Sequence, residues 1–324
     1  MSIGNDIIQQ SFDDVTKNAV RNIILISGKD SLCTAIVQKT RQPDVDYEYL
    51  FNDTYAELPE VNAWLDKASE YLGKPIQRVG KNLEDIIMEQ GGLPGYGGFG
   101  RFCTRMAKII PMEDYIGKGT KAFVYYGLRA DELERVGYTK NSKFDIIPVY
   151  PLQEMGITLP FVWRILQDRD LLPPAFFWQR VYDRVVERLG DIAKDFIGNL
   201  EPWEFRTLFS WRSRPNCYYC YNMRNYERIG LLDHHPDLYW HAAWIEENVG
   251  KDNGKKQRIE MFTWKQGESM RELAKRADAI REDRAKAICK SIIQKAQGGL
   301  FEDNDTDRGI DELSITSCGL YCGK

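Results

Sequence analysis

Long apolar runs are missing from this chain: no stretch approaches the ~18–20 residues that a membrane-crossing helix needs, so no membrane partner is expected. The segment MSIGNDIIQQ carries neither the basic nor the apolar part of a secretion signal, which leads to an expected cytoplasmic location. Histidine is scarce, at three in 324 residues, and none stands in a metal-binding motif. His234 and His235 are adjacent, as suits a helix end or loop, and His241 has no partner motif. A basic excess is lacking too. Lys and Arg number 44 against 48 Asp and Glu, a net charge of −4, so any nucleic-acid contact requires a local patch or a partner rather than a global field. No low-complexity tract argues for wholesale disorder, and 43% hydrophobic with 28% charged residues is the balance of a folded body.

What is present alternates. Ile23-Ile-Leu-Ile26 is a continuous apolar run, followed by Ser27-Gly28-Lys29-Asp30-Ser31 and an apolar-periodic stretch from Leu32 to Val37, which together read as buried strand, tight loop and helix. Strand-like Tyr47 to Phe51, helical Pro59 to Leu72, strand-like Pro75 to Val79, helical Leu83 to Glu89 and strand-like Ala122 to Tyr126 follow, an order that predicts an α/β fold with a parallel sheet over residues 1–172. Gly91 to Gly100 holds six glycines and a proline, which excludes a regular element there. Residues 173–324 read as a helical subdomain, aromatic-rich at first. It carries a long amphipathic helix that starts at the capping box of Ser269 and Glu272 and presents Leu273, Ala277, Ile280, Ile288 and Ile292 on one face.

A loop between a strand and a helix N-terminus offers unpaired backbone N–H groups and the positive end of the helix dipole, and both attract phosphate. Gly28 lets the backbone approach, Lys29 adds charge, Ser31 adds a hydroxyl, and Asp30 is placed to help hold Mg²⁺. The Walker pattern ending in GK[ST] is absent, which excludes the P-loop NTPase reading.

SGKDS resembles the SGGKDS loop of the N-type ATP pyrophosphatases, the group that includes the PAPS reductases, with one glycine missing: Ser27 stands at the first glycine and Ile26 at the serine. Further segments match in the family's order. Asp53-Thr54-Tyr55-Ala56-Glu57-Leu58-Pro59 resembles DTGxExP; Arg101-Phe102-Cys103-Thr104 with Lys108 and Pro111 resembles RxCT…KxxP; and Gly127-Leu128-Arg129 with Arg135 resembles GxRxxES..R. The resemblance implies an adenine nucleotide alpha hydrolase-like domain (PP-loop, or HUP) that binds ATP and Mg²⁺. Ser27, Gly28, Lys29, Asp30, Ser31, Asp53, Thr54, Glu57, Arg101, Lys108, Gly127, Arg129 and Arg135 would face the nucleotide, with Arg129 on the phosphates.

Seven cysteines without a secretion signal point to thiols, metal ligation or redox chemistry rather than disulfides. Cys217-Tyr-Tyr-Cys220 and Cys318-Gly-Leu-Tyr-Cys322 are two close pairs able to converge on one tetrahedral zinc or one iron–sulfur cluster, and spacing alone does not choose between them. The resemblance favours a [4Fe–4S] cluster. It also draws in Cys103, which stands at the first ligand position of the cluster-bearing sulfonucleotide reductases, and it makes Cys318 either a ligand or a sulfur-handling nucleophile. Cys33 and Cys289, on helices, read as core residues. Trp211 to Pro215 with Tyr218, Tyr219, Tyr221 and Arg224 surrounds the first pair; such a cluster either stacks on a nucleic-acid strand or packs subdomains together.

Within the family the chain most resembles the enzymes that activate the DNA backbone for phosphorothioation (the DndC and SspD type), which work with a cysteine desulfurase or other sulfur donor and with DNA-modification subunits. The resulting expectation is an ATP pyrophosphatase-type sulfurtransferase that adenylylates an oxyanion, with nucleic acid as acceptor. The rival readings are a PAPS or APS reductase using Cys318, and a nucleotide-binding subunit without catalysis.

Overall fold

The computed structural model describes residues 21–95, 100–118, 120–132, 144–251, 262–265 and 267–296. Strand β1 (Arg21–Leu25) leads through the loop at Ile26–Gly28 into α1 (Lys29–Arg41). Then come β2 (Tyr47–Asn52), α2 (Pro59–Leu72), β3 (Ile76–Val79), α3 (Leu83–Gln90), α4 (Phe102–Thr104), a π-helical turn at Arg105–Ile109, α5 (Ile110–Ile116), β4 (Lys121–Tyr125) and β5 (Asp145–Val149). The five strands form one sheet in the order β3-β2-β1-β4-β5, and every pairing is parallel. The fold is therefore α/β with an all-parallel sheet, as the alternation predicts.

Side-chain alternation assigns the two faces of the sheet. Ile24, Tyr47, Tyr49, Phe51, Phe123 and Tyr125 belong to one buried cluster that also takes in α1 and α2 through Leu32, Ile36, Val61 and Leu65. Ile23, Leu25, Leu50, Ala122 and Val124 face the other way, onto Met112 and Ile116 of α5. Both faces are covered, which is why the strands read as continuous apolar runs.

The second half is helical: α6 (Pro151–Glu154), α7 (Leu159–Gln167), α8 (Gln179–Leu189), α9 (Asp191–Gly198), α10 (Pro202–Leu208), α11 (Asn225–His234), α12 (Pro236–Asn248), α13 (Met270–Lys275) and α14 (Ala277–Ala296). Ser269 caps α13 by accepting from the Glu272 N–H, as its capping box predicts, but the expected single helix breaks at Arg276 into α13 and α14. One apolar cluster runs without interruption from Ile24 to Ile292, so the helical half packs directly on the sheet domain. No helix among the described residues is long and apolar enough to cross a membrane.

Candidate functional site at the carboxyl edge of the sheet

Because β1 lies between β2 and β4, chain connections leave it in opposite directions, and the loop after β1 sits at the switch point where open α/β sheets hold ligands. The loop is braced from within. Ser31 Oγ accepts from the Ser27 N–H at 2.8 Å and the Gly28 N–H at 3.0 Å, and donates to the Gly28 carbonyl at 2.9 Å. The hydroxyl expected to face phosphate thus holds the turn's shape. The first intrahelical bond of α1 runs from Leu32 N to Gly28 O, which leaves the N–H groups of Lys29, Asp30 and Ser31 ahead of the ladder. Gly127, just past β4, backs this turn so closely that a Cβ there would lie 2.5 Å from Ser31 N. Gly80, past β3, approaches the Asp53 backbone in the same manner.

Arg129 does not present its guanidinium to the cleft in front of the loop; it is buried behind the loop, at 0% exposure. It pairs with Asp30 at 3.2 Å, Asp131 at 3.0 Å and Glu132 at 3.6 Å, and three carboxylates consume its donor directions. Asp30 in turn sits between Arg129 and Lys29, whose Nζ is 3.3 Å away. A Mg²⁺ held beside the phosphates would therefore meet a carboxylate already neutralised by two cations.

Ser27 to Asp30 line one wall of a cleft. The helical half supplies the facing walls: Trp163, Phe176, Arg206, Arg214, Tyr226 and Arg284. Lys29 Nζ lies 5.7 Å from the centre of the Trp163 ring, a cation–π approach.

Six of the remaining predicted residues, Thr54, Arg101, Cys103, Lys108, Cys217 and Cys220, line a second, smaller cavity. Arg101 stands at the N-cap position of α4 without a side-chain capping bond, and Lys108 belongs to the π-helical turn, a distortion often found at functional sites. Thr54 Oγ1 donates to Glu57 at 2.8 Å and lies 3.1 Å from Cys217 Sγ. Burial pushes the Glu57 carboxyl upward against the nearby Lys108 charge. Burial, reinforced by the Glu57 charge, pushes the Cys217 thiol up to about 12. Asp53 faces neither cavity: its carboxylate accepts from Arg78 at 2.9 Å and from the Tyr55 N–H at 2.7 Å, and Tyr55 adopts a left-handed φ of 58° where the resembling motif has glycine.

Three of the five candidate metal-ligating cysteines thus reach one cavity. Cys318 and Cys322 lie outside the described residues, as does Arg135. Among the described residues no group of three or more His, Cys, Asp or Glu side chains is arranged to hold a metal ion. An iron–sulfur or zinc site does not fit the described side chains as they stand. Cys33 and Cys289 are buried core residues, as expected. His234 and His235 end α11, also as expected.

The aromatic neighbourhood of the first cysteine pair resolves toward packing. Trp211, Tyr218 and Tyr219 are buried, Arg212 is spent on the Arg214, Asn216 and Cys217 carbonyls, and Arg212 and Arg214 both line the cleft with the loop. Sequence reasoning missed Trp163, Arg206, Tyr226 and Arg284 as site residues. For Arg284 a signal existed: it interrupts the apolar row of Ile280, Ile288 and Ile292 at four-residue spacing. Compared with protein-family models, with curated proteins and with solved structures, the chain matches none.

Proposed function

We propose that this chain binds ATP on the Ser27–Ser31 loop and cleaves it between the α- and β-phosphates, with the adenine nucleotide alpha hydrolase-like architecture as its scaffold. An acceptor oxyanion, a nucleic-acid backbone phosphate, attacks the α-phosphorus. The bond to pyrophosphate breaks, and sulfur then displaces AMP from the adenylylated acceptor. The observation that carries this reading is the loop itself: a glycine-containing strand-to-helix turn at the sheet's switch point, backed by Gly127, with Lys29 lining the cleft in front of it. A helix N-terminus together with a lysine stabilises the charge that builds up on the leaving pyrophosphate.

The cysteines take the sulfur-handling part. Cys217, Cys220 and Cys103 line the second cavity, and a [4Fe–4S] cluster or zinc there would require Cys318 or Cys322 as a fourth ligand. Sulfur arrives from a cysteine desulfurase or another donor, and DNA-modification subunits present the acceptor. Asp30 would be the residue nearest a Mg²⁺, which would supply charge neutralisation for the phosphates.

Purified protein given ATP, Mg²⁺ and acceptor should release AMP and pyrophosphate, resolved by ion-exchange chromatography. Lys29→Met should lower that rate by about 10²–10³, the usual cost of losing one preorganised charge-stabilising group. Stoichiometric ADP and phosphate would refute the α–β assignment, and full activity in Lys29→Met would refute the role of the loop.

A further inference from the structure

Arg284 is out of place by the logic of its helix. It lies on the buried face of α14, in the row of Ile280, Ile288 and Ile292, and only 8% of its surface is exposed. A guanidinium so placed normally carries a carboxylate partner, because a desolvated, unpaired charge is costly. Arg284 has none: among the described residues no carboxylate comes within 4 Å, its Nε is buried without a hydrogen-bond partner, and its one hydrogen bond is a long 3.4 Å contact to the Leu208 carbonyl. The carboxylate that Arg284 senses from nearby, Glu227, is spent on Ser213 and on the Arg224 N–H. Its guanidinium instead stacks on the Tyr226 ring, 4.5 Å from the centroid, and lines the same cleft as the phosphate loop.

Arg206 and Arg214 line that cleft as well, and Arg206 has no carboxylate within 4 Å among the described residues. The only carboxylate in the lining is Asp30, which Lys29 and Arg129 already neutralise. The wall across from the loop is thus cationic and aromatic, in a chain whose net charge is −4. Trp163, stacked on Trp203 at 6.0 Å and 14°, and Tyr226 with Arg284 on its face provide planar surfaces on which bases stack. The rings and guanidinium groups line one cleft, where an unstacked base of a single strand can lie on them and a base held inside a duplex cannot.

We propose that Arg284, with Arg206 and the Trp163 and Tyr226 rings, forms a second anion subsite facing the phosphate loop, which holds one nucleotide unit of a single-stranded acceptor: its phosphodiester on the guanidinium groups and its base on the rings. The proposal rests on the reading of this cleft as the reaction site, but it predicts strand binding that does not require ATP.

The test uses the full chain and a fluorescein-labelled single-stranded oligodeoxynucleotide of ten residues, followed by fluorescence anisotropy without ATP. The wild type should bind it. Arg284→Met should bind at least tenfold more weakly, with the salt-dependence slope reduced by about one, as for the loss of one phosphate contact. Arg284→Met should still be stabilised by ATP and Mg²⁺ in a thermal melt. Unaltered strand affinity in Arg284→Met, absence of binding by the wild type, or displacement of the strand by inorganic phosphate as readily as by unlabelled strand would each overturn the subsite. If Arg284→Met does not fold, Trp163→Leu replaces it, with at least tenfold weaker strand binding expected and unaltered binding overturning the subsite. A wild type that binds strand through Arg284 but is not stabilised by ATP keeps the subsite and removes the ATP reading instead.

Discussion

At the scale of single residues, the site depends on charges that neutralise one another out of water. Arg129 is fully buried and is the counter-ion to Asp30 and Glu132, which are themselves 5% and 3% exposed. Removing one partner from such a group leaves uncompensated buried charge, at a cost of about 3–5 kcal/mol. Arg129→Ala should therefore lower the unfolding free energy by that amount in urea denaturation, and Arg129→Lys should recover part of it, since an ammonium restores charge but not the forked geometry. A variant as stable as the parent would show that the carboxylates find other partners. This role differs from the phosphate clamp that the GxR resemblance implies. Lys29, one residue from Asp30, is the cation that keeps a face toward the cleft.

At the scale of elements, the close approach of β4's end to the start of α1 sets the loop's position. A methyl group at Gly127 would meet Ser31 N at 2.5 Å and the Asp30 carbonyl carbon at 2.7 Å, both backbone atoms that cannot rotate away. Gly127→Ala should push the first turn of α1 outward, costing about 1–3 kcal/mol as overpacking does, and should abolish the ATP-induced rise in melting temperature. A variant that keeps the full rise would uncouple Gly127 from the loop. Most of these elements were legible beforehand, because β1, β2, α2 and β4 announce themselves through apolar period, a proline at N1 and adjoining turn residues. Strand β5 was not, since Asp145-Ile-Ile-Pro-Val149 is short and contains Pro148, which a sheet tolerates at an edge such as this one. The break at Arg276 has no sequence signal, because the apolar spacing continues across it. The linear motifs group the loop with Thr54, Arg101 and Lys108, whereas in the fold the loop lines one cleft and those three line the second cavity. The cleft's other walls come from α7, α10, α11 and α14, whose meeting is a tertiary fact that no local spacing encodes.

At the scale of the whole molecule, the helical half is held together by buried polar anchors as well as by its apolar core, and Glu246 on α12 is one of them. Its carboxylate accepts from the Trp264 N–H at 2.7 Å and the Met270 N–H at 2.8 Å, tying the segment before α13 to α12, while Trp264 Nε1 donates to the Ala242 carbonyl. Burial pushes the Glu246 carboxyl up to about 7, and the two backbone N–H groups and Arg228 offset only part of that rise. Between the unfolded value of 4.5 and about 7 the folded chain keeps a proton that the unfolded chain has released. Over this window the unfolding free energy should fall as pH rises, by a few kcal/mol at most, on the order of 1.4 kcal/mol per pH unit from this group alone. His234 acts in the opposite sense, because burial lowers its pKa and folding then gains as pH rises toward 6.5. The two are separable by comparing urea midpoints at pH 5 and pH 8 for the parent and for Glu246→Gln. The substitution should flatten the decline and lower stability at pH 5, where its amide must face an N–H donor that the protonated acid accommodates. An equal decline in both proteins would show that Glu246 remains ionised across the range and that the pH response arises elsewhere.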